Sequence, residues 1–363
     1  MPAADMDHHL NRRQFLLASG AGLAGMVPPQ AAAEPRDVII DTDPGVDDAF
    51  ALLLALRSPE LRIRAVTVVA GNVPAPVGLG NALRMVEIGG RPDIPVALGA
   101  IKPLVRRLVL AYYAHGENGL GGLDFPEAKV KLVAEPATEL IRRIVRQRPG
   151  QVSLITLGPL TNIALALRSD PELARMIPRL VLMGGSLSGG NVTPAAEFNI
   201  YVDPEAAHIV FHAGIPLVMV GLDVTRKAVL RDEHARALEA GQDAVSGAAA
   251  RLARNGIERA QRLGWGPGPA MHDPLAVATF LDPTLVTLRP YFVDVETAGE
   301  LTAGQTVAYR SGPVRGSAPP DGSPLSEVRS EAVQPNIEVA VDVDAARFFQ
   351  MFVTRLSGKA ASL

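Results

Sequence analysis

The chain has 363 residues, of which 48% are hydrophobic and 20% charged, a composition typical of folded proteins rather than disordered ones. Its formal net charge is −3, so the basic excess that characterises nucleic-acid-binding proteins is missing. It contains no cysteine, which excludes disulfide bonds, thiolate metal sites and a cysteine nucleophile. These observations favour an enzyme or a protein that binds a small molecule, with no nucleic acid as partner.

Residues 1–33 have the features of a secretory signal peptide. Arg12 and Arg13 precede a mild apolar run, and Ala31–Ala33 offers a cleavage site. The apolar run is too short to cross a bilayer, which needs about 20 residues. The paired arginines and the Gly- and Ala-rich run resemble signals of the twin-arginine export route. We therefore expect a periplasmic or secreted protein whose mature part, residues 34–363, is one domain that does not associate with a membrane after signal removal.

Short apolar runs alternate with helical patterns along the mature chain. Six runs of strand character lie at Asp37–Ile40, Ile63–Val69, Ile94–Leu98, Val152–Leu157, Leu180–Met183 and Leu217–Val220. Helices are expected at Asp47–Leu56, Val77–Ile88, Ala137–Arg146, Asn162–Leu167, Pro204–His212 and Glu233–Leu263. This alternation predicts an α/β fold with an open, mostly parallel sheet and helices on both faces.

The pattern changes toward the C-terminus. Val286–Tyr309 has hairpin-like strand character, and Ala345–Leu356 is expected to be a closing helix. Between them, Ser311–Ser330 is rich in Gly, Pro and Ser, as surface loops are. A small hairpin addition to the parallel sheet follows from this reading.

Four aspartates follow the first predicted strand within eight residues: Asp41, Asp43, Asp47 and Asp48. They flank a Pro-Gly turn and lead into a helix, at the end of a strand where open α/β sheets bind ligands. A helix start favours one or two acidic residues in its first turn. Four carboxylates repel one another unless a cation or polar partners offset the repulsion.

Several interpretations of this acidic turn differ in what they require. An EF-hand loop counted from Asp41 needs Gly sixth and Glu twelfth, where the chain has Val46 and Leu52. An aspartyl-phosphate enzyme would use Asp41 as nucleophile and Asp43 as acid/base, but its pattern lacks the following Pro-Gly-x-Asp-Asp. A calcium site of oxygen ligands uses all four aspartates, and an over-acidic helix cap is the structural alternative.

The segment DTDPGVDDAFALLLAL at residues 41–56 resembles the signature of the inosine-uridine-preferring nucleoside hydrolases. Further similar segments follow in the same order across the mature chain. They are VTVVAGN ending at Asn72, HGENGLGG at 115–122, LGPLTNIALAL at 157–167, LMGGSLSGGN at 182–191, AEFNIYVDPEAAHIVF at 196–211, MVGLDVT ending at Thr225, MHDPLAVA at 271–278 and VETAGELTAGQTV at 295–307.

This resemblance implies a Rossmann-like nucleoside hydrolase fold and a homo-oligomer, either a dimer or a tetramer. It also implies hydrolysis of the N-glycosidic bond of a ribonucleoside to free base and ribose, through an oxocarbenium-like transition state. The alternative from another class is an exported nucleoside- or ribose-binding protein without catalysis. Such a binder would not need a general acid.

By the same resemblance, calcium is held by the carboxylates of Asp43, Asp48 and Asp273 and by the backbone carbonyl of Leu157. A set made only of oxygen ligands suits calcium. Water held there would attack C1′ of the ribose, with Asp43 as the general base. Asp47 is the rival base, since a neighbouring carboxylate could also take the proton.

The resemblance also assigns a ribose-binding set. Amides and carboxylates suit a diol, which both donates and accepts hydrogen bonds. Met183 would pack against the ribose face, and Asp41 would support the site from behind. The polar members of the set are Asp47, Asn72, Asn191, Glu197, Asn199 and Asp273.

Five further side chains bear on the leaving group or on metals. His272 matches the histidine that protonates the departing base in the family, a task that suits an imidazole. His115 lies in the HGENGLGG segment and could contact the base, while Trp265 could stack on the base or pack a loop. His208 and His212 have a zinc-like i, i+4 spacing, but they lack the Glu of a metalloprotease and are interpreted as helix-surface or packing residues. The choice between purine and pyrimidine bases stays open.

Overall fold

Nine β-strands form one sheet in this computed structural model, which describes residues 34–310 and 334–359. The strands are β1 Arg36–Thr42, β2 Leu61–Val68, β3 Val96–Leu98, β4 Val152–Thr156, β5 Leu180–Met183, β6 Leu217–Val220, β7 Val286–Val295, β8 Thr306–Arg310 and β9 Ile337–Val343. The predicted signal peptide, residues 1–33, and the predicted loop Ser311–Ser330 lie outside the described residues.

The strand order is β3-β2-β1-β4-β5-β6-β9-β7-β8. The seven strands from β3 to β9 run parallel, and β7 pairs antiparallel with both β9 and β8. The predicted α/β fold with a mostly parallel sheet and a hairpin addition is therefore confirmed. β1 pairs with β2 on one side and with β4 on the other. The chain order of the strands therefore reverses at β1, which leaves a crevice at the carboxyl ends of the strands.

Helices cover both faces of the sheet in the described ranges. They are α1 Val46–Leu56, α2 Ala75–Ile88, α3 Tyr112–His115, α4 Ala137–Gln147, α5 Thr161–Ser169, α6 Phe198–Val202, α7 Pro204–Phe211, α8 Leu222–Thr225, α9 Asp232–Glu239, α10 Ala244–Arg262, α11 His272–Leu281 and α12 Ala345–Ser357. Short 3₁₀ turns occur at Pro171–Met176 and Pro283–Leu285. None of these helices combines the length and apolarity needed to span a bilayer.

Alternation of side chains along β1 divides the core in two. Val38 and Ile40 point to one face and pack in a cluster with residues of α1, α2 and α9 to α12. Ile39 points to the other face and packs in a second cluster with residues of α4, α5 and α7. The three side chains are fully buried, as expected for a parallel strand that is covered on both sides.

One sequence prediction is wrong in detail, and some elements were not predicted. The helix predicted at Glu233–Leu263 is two helices, α9 and α10, because Asp243 caps the second by accepting a hydrogen bond from Ser246 N at 2.9 Å. The strand β9 was not predicted, although it completes the parallel sheet between β6 and β7. The helix α11, which positions His272 and Asp273, was also not predicted and packs against α1.

Candidate active site

A cavity of about 660 Å³ opens at the carboxyl ends of the parallel strands. This volume is in the range of sites that enclose small molecules. Residues that follow β1, β2, β4, β5 and β6 in the chain all reach its wall. Most of the site residues expected from the sequence line it: Asp47, Asn72, His115, Leu157, Met183, Asn191, Glu197, Asn199, His272 and Asp273.

Three carboxylates meet at one side of this cavity. Each of Asp47, Asp48 and Asp273 offers a carboxylate oxygen, and these oxygens all lie within 4.8 Å of one another. Asp47 and Asp48 belong to the first turn of α1, whereas Asp273 belongs to the first turn of α11. The packing of α11 against α1 therefore joins acidic residues that are far apart in the sequence.

The Asp48 carboxylate is held by four hydrogen-bond donors. Its Oδ1 accepts from Thr42 Oγ1 at 2.5 Å and from Asp43 N at 3.2 Å. Its Oδ2 accepts from Gly45 N at 2.9 Å and from Asn72 Nδ2 at 2.9 Å. These bonds close the turn between β1 and α1 and fix the direction of the carboxylate. Asp48 thus has a structural role whatever else it binds.

Asp43 is fully buried between two glycines. Its Oδ2 accepts a hydrogen bond from Asn72 N at 2.6 Å, and its Oδ1 has no hydrogen-bond partner among the described residues. A Cβ atom added to Gly71 would lie 2.0 Å from Asp43 Oδ2, and one added to Gly158 would lie 2.5 Å from Oδ1. The chain therefore needs glycine at both positions to bring its backbone this close to the carboxylate.

Burial and mutual repulsion disfavour the charged forms of the four aspartates at this site. Burial, with a further contribution from the Asp48 charge, raises the pKa of Asp43 well above its usual range. Burial and the neighbouring Asp47, Asp48 and Asp43 carboxylates raise the pKa of Asp273 in the same direction. Burial also raises the pKa of Asp47 and of Asp48. A bound cation would offset this repulsion.

The donor set fits a hard cation. Oδ1 of Asp43 and Oδ1 of Asp47 are buried and lack partners among the described residues, so unsatisfied carboxylate oxygens are present. The Leu157 carbonyl lies at the same cavity and accepts from Asn199 Nδ2 at 2.7 Å. Every candidate ligand is an oxygen, as calcium and magnesium prefer. Asp47 was expected to bind ribose, yet its carboxylate is grouped with Asp48 and Asp273.

Three of the expected ribose-binding residues, Asn191, Glu197 and Asn199, follow β5 and lie at a short helix, α6. Glu197 caps α6: its Oε1 accepts from Asn199 N at 2.9 Å and its Oε2 from Gly185 N at 3.0 Å. Burial raises the pKa of Glu197 to about 7. Asn199 Nδ2 also donates to Met183 O at 3.2 Å, and Asn191 Oδ1 accepts from the backbone N of Phe198 at 2.9 Å. These bonds hold the polar side chains at the cavity wall.

His272 begins α11 and lines the cavity. Its Nδ1 lies 2.8 Å from Thr225 Oγ1, at the end of α8. Burial lowers the pKa of His272, although the negative charge of Asp47 acts in the opposite direction. Asp47 therefore favours the protonated form of His272, against the effect of burial.

His115, at the end of α3, contacts the start of α1. Its Nδ1 accepts a hydrogen bond from Val46 N at 3.1 Å and lies 3.8 Å from Asp47 Oδ1. Burial lowers the pKa of His115 to about 4, so the ring is neutral near pH 7. A neutral ring that accepts through Nδ1 carries its proton on Nε2. His115 thus positions the acidic turn besides lining the cavity.

The cavity mouth contains Trp265, which the sequence left between base stacking and loop packing, and residues that the sequence did not assign. Tyr113 and Trp265 are about half exposed, and their rings meet edge to face with centroids 6.4 Å apart. Asn255 and Arg259 reach the cavity from α10. Their i, i+4 spacing puts both on one face of that helix, and this spacing is the sequence signal that could have identified them. Arg226 lines it as well and donates to the Gly190 carbonyl.

Asp41 supports the site without lining the cavity. Its Oδ1 accepts from Thr67 Oγ1 at 2.5 Å and from Asn162 Nδ2 at 2.8 Å. Burial raises its pKa to about 7. The role of Asp41 in supporting the acidic turn stays a prediction.

Comparisons with known proteins agree on one family. Residues 38–350 match the family model described as inosine-uridine preferring nucleoside hydrolase. The pyrimidine-specific ribonucleoside hydrolase RihA of Citrobacter koseri is 44% identical over 321 residues, covering 88% of this chain and 97% of that protein. RihA of Salmonella typhi is also 44% identical, over 323 residues, with the same coverage of both chains.

Solved structures show the same similarity. The plant nucleoside hydrolase PpNRh1 superposes with a TM-score of 0.81 at 33% identity, covering 89% of this chain and 99% of that one. A purine-preferring ribonucleoside hydrolase from Gardnerella vaginalis gives 0.79 at 33% identity, covering 89% and 98%. RihA and the Gardnerella vaginalis protein differ in the bases that their names specify.

Proposed function

Because the chain belongs to the inosine-uridine-preferring nucleoside hydrolase family and hydrolyses the N-glycosidic bond of ribonucleosides, we propose that its acidic cluster holds calcium and delivers water to C1′ of the ribose. The observation that carries this proposal is the meeting of Asp47, Asp48 and Asp273 at the wall of a cavity that His272 also lines. A hydrolase of this bond needs water activation on one side of the ribose and a proton donor for the base.

The proposed ligands are the carboxylates of Asp43, Asp48 and Asp273 and the carbonyl of Leu157. The raised pKa values of the buried Asp43 and Asp273 support this set, and the Asp47 carboxylate lies in one group with those of Asp48 and Asp273. When bound, calcium would neutralise the repulsion among these carboxylates and make the attacking water more acidic.

We propose Asp43 as the general base. Its Oδ2 accepts from Asn72 N, whereas Oδ1 has no partner among the described residues and is the atom proposed to take a proton from the attacking water. Asp47 is the alternative base because its Oδ1 is also unpartnered among the described residues. As the water oxygen bonds to C1′, the C1′–N bond breaks and its electron pair passes to the base. The surrounding carboxylates stabilise the positive charge that develops on the ribosyl ring.

His272 is the proposed acid for the leaving base. Its Nδ1 is engaged by Thr225, so Nε2 is the nitrogen that remains to donate a proton. Asn72, Asn191, Glu197 and Asn199 line the same cavity and are proposed to bind the ribose hydroxyls, with Met183 against the ribose face and His115 near the base.

For the base itself, we propose a preference for pyrimidines. The support is that curated relatives at 44% identity are named as pyrimidine-specific, while a solved relative named as purine-preferring is 33% identical. The test is a panel of uridine, cytidine and inosine, with kcat/KM for ribose release. A higher kcat/KM for uridine or cytidine than for inosine is expected, and the reverse order would contradict the preference.

The metal proposal is tested with the same ribose assay. Protein treated with a chelator should release no ribose from uridine, and calcium should restore release better than magnesium does. Undiminished turnover in the chelator would contradict the proposed metal requirement. Restoration by magnesium alone would contradict calcium as the ion.

Export is a separate proposal that rests on the sequence of residues 1–33. Arg12→Lys combined with Arg13→Lys should leave the protein in the cytoplasm, as cell fractionation can show. An unchanged periplasmic or secreted yield would contradict the twin-arginine route.

A homo-oligomer is proposed from family membership alone, and sedimentation of the purified protein as a monomer would contradict it.

A further inference from the structure

Two histidines and an aspartate meet on the surface outside the cavity. His208 lies in α7, His212 follows its last turn, and Asp294 lies in β7. His208 Nδ1 is 2.8 Å from Asp294 Oδ1, and His212 Nε2 is 3.0 Å from the same oxygen. The nitrogen and oxygen atoms of this His-His-Asp cluster all lie within 4.8 Å of one another.

The backbone fixes the geometry of the His-His-Asp cluster. His212 N donates to His208 O at 3.2 Å, so the helical turn continues through His212 and the two rings lie on one face of α7. Their centroids are 4.5 Å apart. Phe292, two residues before Asp294 in β7, packs on His212 with ring centroids 5.9 Å apart. The imidazoles are thus oriented from the strand side before any ligand binds.

The cluster is accessible and chemically selective. The side chains of His208, His212 and Asp294 are 48%, 36% and 39% exposed, so an ion can reach them from solvent. Two imidazole nitrogens with one carboxylate are a ligand set of zinc and other late transition metals, whereas calcium and magnesium prefer oxygen alone. This composition distinguishes the cluster from the all-oxygen set at the cavity.

The spacing needs only a small adjustment to accept zinc. Ligand atoms on a tetrahedral zinc ion lie about 3.3 Å apart, as bonds of about 2.0–2.1 Å imply. The present nitrogen–oxygen distances of 2.8 and 3.0 Å are a few tenths of an ångström shorter than that. Rotation of the half-exposed side chains can supply this change. Each imidazole would then carry its proton on the outer nitrogen, leaving the inner one to bind.

We propose that His208, His212 and Asp294 form a zinc site with water as the fourth ligand, joining α7 to β7 and stabilising the fold without taking part in nucleoside hydrolysis. The ion would link a helix on one face of the sheet to the strand that begins its antiparallel part. Since α7 directly follows α6, the linked segment is continuous with the helix that carries Asn199.

Zinc titration of metal-stripped full-length protein in excess calcium tests this proposal. Calorimetry should show one equivalent of zinc bound per chain, and zinc should raise the melting temperature. Excess calcium keeps the carboxylates at the cavity occupied, so the signal reports the other site. Saturable binding weaker than millimolar, or no rise in melting temperature, would overturn the proposal.

Variants assign the binding to these residues. His208→Gln and His212→Gln should each weaken zinc binding by at least tenfold and abolish the zinc-dependent rise in melting temperature, and Asp294→Asn should weaken binding less. Ribose release by these variants without zinc should equal that of the wild type. The matched control is Asp342→Asn, which removes an exposed carboxylate of β9 that pairs with Lys227 and should leave binding intact. Loss of binding in that control, or retention in the His208→Gln/His212→Gln double variant, would overturn the assignment.

Discussion

Thr225 Oγ1 lies 2.8 Å from His272 Nδ1, and Thr225 is fully buried at the end of α8. As the proposed acid, His272 must be an imidazolium, whose Nδ1–H donates to the Thr225 hydroxyl. The contact therefore leaves Nε2–H as the proton that His272 would give to a leaving group. It also ties the helix that follows β6 to the start of α11, so that the imidazole is held from outside its own helix.

His272→Ala should separate leaving-group protonation from activation of the ribosyl ring. We expect kcat for uridine to fall by roughly 10²–10⁴-fold, because the departing base loses its acid. A nitrophenyl riboside has a leaving group that needs no proton, so its kcat should change little. Thr225→Val should give a smaller loss with the same substrate dependence. Equal losses on both substrates would instead show that His272 positions ribose or Asp273.

Gly158→Ala should inactivate the enzyme through Asp43. The new Cβ would lie 2.5 Å from Asp43 Oδ1, so the carboxylate must move, and displacements of about 1 Å at a reacting group can cost about 10²-fold in rate. The measurement is kcat for uridine. Gly247→Ala is the control: this exposed position in α10 has nothing within 4 Å of the new atom, and alanine should stabilise the helix by about 0.5–1 kcal/mol. Wild-type activity of Gly158→Ala would contradict the proposed role of Asp43.

Asp48→Asn and Asp273→Asn should abolish calcium-dependent turnover but change stability in opposite directions. Each Asp48 oxygen accepts from two donors. An amide nitrogen in place of either oxygen cannot accept, so two donors lose their acceptor and the free energy of unfolding should fall by roughly 2–4 kcal/mol. Asp273 has a pKa raised by burial and by neighbouring carboxylates, so a neutral amide relieves repulsion. Melting temperatures in chelator should be lower than wild type for Asp48→Asn and equal or higher for Asp273→Asn.

Failure of Asp273→Asn to remove the calcium-induced rise in melting temperature would contradict its role as a ligand. A chelator-treated Asp48→Asn protein as stable as wild type would contradict the structural role of that carboxylate in the turn.

His234 should make part of the stability depend on pH. Its Nδ1 accepts from Arg231 N at 3.0 Å, and its ring stacks on Phe349 with centroids 3.8 Å apart. Burial lowers the pKa of His234 in the folded state. The unfolded chain therefore binds the proton more readily, and the contribution of His234 is present above pH of about 6.5 and lost as the pH falls through the lowered folded value.

His234→Asn keeps an acceptor for Arg231 N but loses the stack, and should cost about 1 kcal/mol or more at pH 7.5. Urea unfolding at pH 7.5 and pH 5.5 should show that the stability difference between wild type and variant narrows at the lower pH. A difference that is constant or widens would show that His234 does not titrate in this way.

The parts of the fold that could be predicted from sequence were those coded locally. Apolar runs such as Val38–Ile40 indicate buried parallel strands, and four aspartates after the first strand indicate an acidic site because parallel strands end at one edge of the sheet. Periodicity does not predict the break before α10, because the helical pattern continues through it and only the capping pair of Asp243 and Ser246 marks the start of the second helix. The grouping of Asp47 with Asp273 depends on the packing of α1 and α11, which no local pattern encodes.

The place of β9 in the sheet has a consequence for how the chain is made. The second neighbour of β6 in the sheet is β9, which lies more than a hundred residues later in the chain. β7 and β8 are also synthesised, and can pair, before β9. A ribosome-bound chain would therefore present the open edges of β6 and β7 to its surroundings until the last segment emerges, and exposed strand edges invite association with other chains. The sheet is therefore completed late in synthesis. Termination before Ile337 would remove β9, and β6 and β7 would each lack a pairing partner inside the sheet.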